Sequence, residues 1–120
     1  MNAKQWMDYT NAELNQAEEA RQAGNEGRAR VCARRAAGHI IEEYGCRKKI
    51  QFPNESIYVR IKYLADQSDI TPQVREILEH LVIRIMPDHT LPIEADLIAE
   101  VRALAMELLG ETFQREERST

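Results

Sequence analysis

The segment GNEGRARVCARRAAGHIIEEYG, residues 24–45, holds a short turn and then a helix with an unusually small inner face. Gly24-Asn25-Glu26-Gly27 is too short to carry the chain far, and a glycine just past a helix is a favoured stop. The helix before it, Ala3–Ala23, and the helix after it, Gly27–Tyr44, must therefore run antiparallel as a helical hairpin. Ala29, Cys32, Ala33, Ala36, Ala37 and Gly38 share the inner face of the second helix, and it widens at Ile40, Ile41 and Tyr44. Small residues let two helix axes approach closely. Ala3, Met7, Leu14 and Ala17, with Trp6 beside them, supply the opposing face, and Cys32 is read as a packed thiol. Gly45 is expected to end the second helix, with Cys46–Asn54 as a linker.

Downstream, Ile57, Val59, Ile61 and Tyr63 alternate like a strand, but Ile57, Ile61, Leu64 and Ala65 also fit one helical face. A lone strand would have nothing to pair with, so a helix is expected over Glu55–Gln67. The fourth helix has Thr71 as N-cap and Pro72 in its first turn. Val74, Leu78, Leu81 and Ile85 line one face, and Pro87 is its expected stop. Thr90-Leu91-Pro92 is expected to open the fifth helix, with Glu94 and Asp96 in its first turn. Ile93, Leu97, Val101, Leu104 and Leu108, beside Ile98, Ala105 and Leu109, give it an apolar arc wider than the ~100° stripe of a one-sided surface helix. The expected fold is all-α: an antiparallel bundle of four to five helices in one domain over residues 1–120, with a core over 3–113 and a polar tail over 114–120.

Composition agrees with a single globular domain. The 120 residues are 43% hydrophobic and 30% charged, with a net charge of -4. No stretch approaches the about 18 apolar residues of a membrane span, and MNAKQWMDYT lacks the basic-then-apolar layout of a signal peptide. No membrane association and a cytoplasmic location are expected. Two cysteines without a CxxC give neither a disulfide framework nor a zinc motif.

Charge is uneven. Residues 25–50 carry seven basic side chains against three acidic ones, whereas residues 87–120 are strongly acidic. The basic segment either docks against the acidic C-terminal segment or is a polyanion patch for RNA or a nucleotide. In the second case Arg28 and Arg35, seven apart on one helix face, and the run Arg47-Lys48-Lys49 are its candidate residues. Nucleotide-binding glycine loops and hydrolase signatures are absent from the sequence. His39 with Glu42 and Glu43, and Glu76 with His80, are too few ligands for a metal site, and none is assigned. No cofactor is expected. Cys46 lies in a basic loop without an identifiable general base. Each histidine has an arginine five residues before it: Arg34/His39, Arg75/His80 and Arg84/His89. An arginine and a histidine together can cleave RNA without metal, the histidine moving the proton and the arginine holding charge on the phosphate.

The long hairpin, the alanine-rich ARVCARRAAGHIIEEY, the linker with short helices and the final IRIMPDHTLPIEADLIAEVRALAMELL together resemble the HEPN superfamily of small α-helical domains. The resemblance implies dimers and association with nucleotidyltransferase partners, toxin–antitoxin modules or RNA cleavage. It also implies that Arg84 and His89 match the arginine and histidine of the family's RNase signature, although here Ile85 follows the arginine and Pro87-Asp88 interrupt the helix. The leading expectation is a non-catalytic, HEPN-like binding module. The alternatives are a metal-independent RNase using Arg84 and His89, and a purely structural interaction dimer. A homodimer through the fifth or fourth helix is expected from their wide apolar faces, to which Ile77, Val82, Ile83 and Met86 add.

Overall fold

The computed structural model of the protein describes residues 5–83 and 95–113. They form five helices, α1 Gln5–Gln22, α2 Glu26–Lys48, α3 Ile57–Ala65, α4 Pro72–Val82 and α5 Leu97–Leu109, with no strand among the described residues. The fold is an all-α bundle. Helix α2 lies at its centre and contacts α1, α3 and α5, while α4 packs on α3 and α5.

The α1–α2 corner is set by two residues. Gly24 adopts φ +80°, its N–H reaches the Arg21 carbonyl, and the Asn25 N–H reaches the Ala20 carbonyl at 2.8 Å. This is the Schellman ending of a helix. Asn25 then caps α2, its side chain accepting from the Arg28 N–H at 3.0 Å. Because one residue closes α1 and opens α2, no slack remains, and the helices pack along their small faces. Ala17, Ala29, Cys32, Ala33, Ala36 and Ala37 are fully buried there. Thr10 is buried among them because its hydroxyl donates to the Trp6 carbonyl at 2.7 Å.

Helix α2 does not stop at Gly45. It continues to Lys48 and ends at Lys49, which takes the left-handed conformation at φ 56°. Gly45 has no positive φ; its missing Cβ leaves room for a ring instead. A Cβ there would lie 2.5 Å from Cε2 of Phe52. The linker thus begins four residues later than the sequence suggests and is pressed against the helix. A side chain in the left-handed region costs about 1 kcal/mol that glycine avoids. Lys49→Gly is therefore expected to raise stability by about 1 kcal/mol, read as a higher melting temperature.

Residues 57–65 are helical, with Ile61 and Leu64 inward. Helix α4 begins as expected, Thr71 accepting from the Val74 N–H, but it ends at Val82, well before Pro87, with Ile83 extended. Successive β-branched residues weaken the helix there, and Arg34 of α2 takes the freed carbonyls, donating to Leu81 at 2.8 Å and Ile83 at 3.2 Å. Helix α5 starts at Leu97, later than the Thr90-Leu91-Pro92 opening suggested, and Asp96 is its cap rather than a first-turn residue. The Thr90–Glu94 stretch and Ile85 lie outside the described residues.

The apolar arc of α5 is spent inside the protein. Leu97, Ile98, Val101, Leu104 and Ala105 are buried, and α5 is covered by α2, α4 and α1. Ile77 of α4 is buried too, while Val82 and Ile83 are partly exposed. Met86 lies outside the described residues. Of the described residues behind the expected dimer, Ile77, Leu97, Ile98, Val101, Leu104 and Ala105 are in the core, and Val82, Ile83, Leu108 and Leu109 are half-buried. No described helix is long and apolar enough to cross a membrane.

Candidate functional site

Val31, Gly38 and Gly45 recur every seven residues, so they fall along one side of α2. The chain crosses this line twice. Phe52 sits over Gly45, and Ile57 sits over Gly38, where a Cβ would meet Cδ1 of Ile57 at 2.8 Å. Among the described residues nothing comparable crosses at Val31, which is 42% exposed. There the line opens into a groove of about 730 Å³ between α2, α3 and the end of α4. Val31, Ile57, Ile61, Leu81, Val82 and Ile83 supply its apolar wall, with Tyr58, Arg34 and Arg35 at the edge. Ile57 and Tyr58 are among the few large apolar side chains left exposed, at 38% and 51%.

Among the described residues, the two charged side chains lining the groove, Arg34 and Arg35, are both basic. Arg34 is half-buried and fixed by its two carbonyls; burial, and then the neighbouring charge of Arg30, lowers its pKa below the usual arginine value. Arg28 and Arg35 are exposed, and no described residue gives either guanidinium a hydrogen bond or an ion pair. They flank Val31 on the outer face of α2, about 10 Å apart along the axis. Neither docks on the described part of the acidic C-terminal segment. In that segment Asp96 pairs with Arg21 at 2.9 Å and Glu100 with His80 at 2.5 Å.

The five candidate polyanion residues do not form one surface. From Arg35 to Arg47 is about 18 Å along α2, and Arg47 turns away to pair with Glu43 at 2.8 Å and to lie over the Trp6 ring. Lys48 lies over Tyr44, and Lys49 borders a separate shallow depression with Cys46, Phe52 and Arg60.

Two of the three Arg–His pairs diverge. Arg34 faces α4, whereas His39 packs on Tyr9 of α1, with ring centroids 5.4 Å apart. Arg75 reaches back to the carbonyls of Ala65, Gln67 and Ile70, whereas His80 meets Glu100 of α5. Five residues along a helix turn two side chains about 140° apart. Arg84 and His89 lie outside the described residues. No group of three or more metal-ligating side chains occurs among the described residues.

The cysteines differ sharply. Cys32 is fully buried; burial first, then Glu13 beside it, pushes its thiol pKa up. Cys46 is exposed. Ellman's reagent is expected to titrate one thiol per chain in the native protein, Cys46, and the second only in denaturant. Loss of the native signal in Cys46→Ser checks the assignment.

Asp96 links three helices. Its carboxylate accepts from the Ala99 N–H at 3.2 Å and from Arg21 at 2.9 Å, while Arg21 also holds Glu26 at 2.6 Å. Partial burial alone would raise its pKa, but the Arg21 guanidinium and the Ala99 N–H outweigh it and hold the carboxyl below the usual aspartate value. The stability this adds is fully present above the unfolded value of about 3.9 and is lost as the pH falls through the depressed folded value. Asp96→Asn keeps the cap but loses the charge. Its stability deficit against wild type is expected to be constant from pH 7 to about 5 and to vanish at acid pH, measured by urea unfolding.

The groove with its aliphatic wall and its row of arginines was not legible as a site in the sequence. Gly38 reads there as a means of close helix approach, and Ile57 as one residue of an ambiguous segment. The seven-residue repeat of Val31, Gly38 and Gly45 is the signal that could have marked the line. No family model, no curated protein and no solved structure matches the chain.

Proposed function

We propose that the protein is a helical interaction module that engages a partner macromolecule through the groove between α2, α3 and α4. One observation carries this reading. Among the described residues, the line Val31–Gly38–Gly45 is covered by Ile57 and Phe52 at two positions and open at the third, where Ile57, Tyr58, Val82 and Ile83 surround Val31. A concave apolar wall rimmed by a few polar groups is the usual form of a binding site. The HEPN-like reading and its nucleotidyltransferase-type partner rest on the order and texture of the helices.

The test uses an environment-sensitive naphthalene sulfonate dye. The folded protein is expected to enhance its fluorescence with a saturable isotherm, and Val31→Glu is expected to abolish the enhancement without changing the helical circular dichroism. Val31 is exposed, so that substitution leaves the core intact. A folded wild type that leaves the dye unchanged would overturn the reading. The same preparation is expected to leave RNA intact in EDTA. Cleavage that disappears in His89→Ala would replace the binding module with the RNase alternative.

A further inference from the structure

We infer that the partner of this groove is an acidic amphipathic helix of another protein, whose aliphatic stripe fills the apolar wall and whose flanking carboxylates meet Arg28 and Arg35. The inference deepens the reading of the groove as a docking site and rests on it.

Shape is the first argument. From Arg28 to Arg35 the open part of α2 is about 10 Å long, close to two helical turns. Its wall is aliphatic, from Val31, Ile57, Val82 and Ile83, with Tyr58 at the rim. A helix offering anchors at i, i+3 or i+4, and i+7 fits such a wall. A single-stranded nucleic acid would be held instead by stacking on aromatic faces along a continuous basic track. Here the only aromatic lining residue among those described is Tyr58, and Arg47, Lys48 and Lys49 lie too far along α2 to extend the track.

Charge is the second argument. Arg34 and Arg35 line the groove and Arg28 flanks it, while Lys62 lies over Tyr58 at the α3 edge. Among the described residues, no acidic side chain lines the groove. The guanidiniums of Arg28 and Arg35, seven residues apart, match carboxylates spaced two turns apart on a docked helix, and arginine is suited to two-pronged contact with carboxylate. Electrostatic complementarity of this kind selects the partner more than it adds affinity.

The same charges disfavour a second copy. A two-fold contact presents the same patch on both sides. It would bring the arginines of one copy against those of the other.

The experiment compares two fluorescein-labelled helical peptides of about 18 residues, each with a leucine stripe at i, i+4, i+7 and i+11. One carries glutamates on both flanks and the other lysines. The glutamate peptide is expected to bind about tenfold or more tightly than the lysine peptide, to lose affinity as salt rises, and to displace the dye. In Arg28→Glu/Arg35→Glu, both substitutions exposed, the preference is expected to invert. Equal binding of the two peptides, or a glutamate preference surviving in the double variant, would overturn the inference while dye binding still stood. Failure of the dye itself would remove the docking reading beneath it. A single-stranded oligouridylate that displaces the dye better than the glutamate peptide, and fails to do so in the double variant, would overturn the inference in favour of a nucleic-acid site. Light scattering of the unliganded protein is expected to give a mass near 13.9 kDa. A concentration-dependent doubling suppressed by Val31→Glu would assign the groove to a second copy instead.

Discussion

Leu104→Ala is expected to lower the unfolding free energy by about 3 kcal/mol. Leu104 is fully buried on α5, the helix that meets α2, α4 and α1 together. Removing three carbons there loses their transfer free energy and leaves a cavity whose walls belong to packed helices, so collapse is limited. The buried face of α2, which packs on α5, is rich in alanines, whose short side chains fill little of such a gap. For a domain of this size the loss corresponds to roughly 10 °C in melting temperature. Leu104→Met, which nearly conserves volume, is expected to cost less than about 1.5 kcal/mol. Thermal melts of the two variants check both figures, and similar losses for the two would show that this site is not tightly packed.

Arg75→Met is expected to cost about 2–3 kcal/mol, through hydrogen bonds rather than volume. The Arg75 guanidinium donates to the Ala65 carbonyl at 2.9 Å, the Gln67 carbonyl at 3.0 Å and the Ile70 carbonyl at 3.4 Å. These carbonyls lie at the end of α3 and in the turn to α4, where a helix leaves its last acceptors unfilled. Met keeps most of the aliphatic stem and removes the donors. Arg75→Lys is expected to recover less than half of the loss, because one ammonium cannot fork to three carbonyls. Urea unfolding gives the magnitude. Hydrogen exchange is expected to quicken first in α3 and the turn after it, and uniform quickening would place the effect elsewhere.

Much of the bundle is legible in the chain because its signals are local. Gly24 and Asn25 fix the hairpin within a few residues, and the alanines of α2 declare a close partner. Thr71-Pro72 marks the start of α4 by its own chemistry. The errors arise where a distant group decides. Gly45 looks like a helix stop until Phe52 occupies the space of its missing side chain. The end of α4 depends on Arg34, 47 residues before Leu81. The groove depends on where α3 crosses α2, and no periodicity within either helix encodes that crossing. For the same reason Arg28 and Arg35 can be grouped from spacing alone, but their separation from Arg47 becomes evident only once α2 runs unbroken past Gly45.

The tight corner at Gly24 and Asn25 also bears on the order in which the protein assembles. Contacts between α1 and α2 join residues close in sequence, so their loop-closure entropy is small and they can form early. Helix α5 must return across the 48 residues between its start and the end of α2, so its docking carries a larger entropic barrier. The hairpin is therefore the natural nucleus and α5 the late arrival. It follows that damage to the alanine seam slows folding, whereas damage to α5, Leu104 included, acts mainly by hastening unfolding.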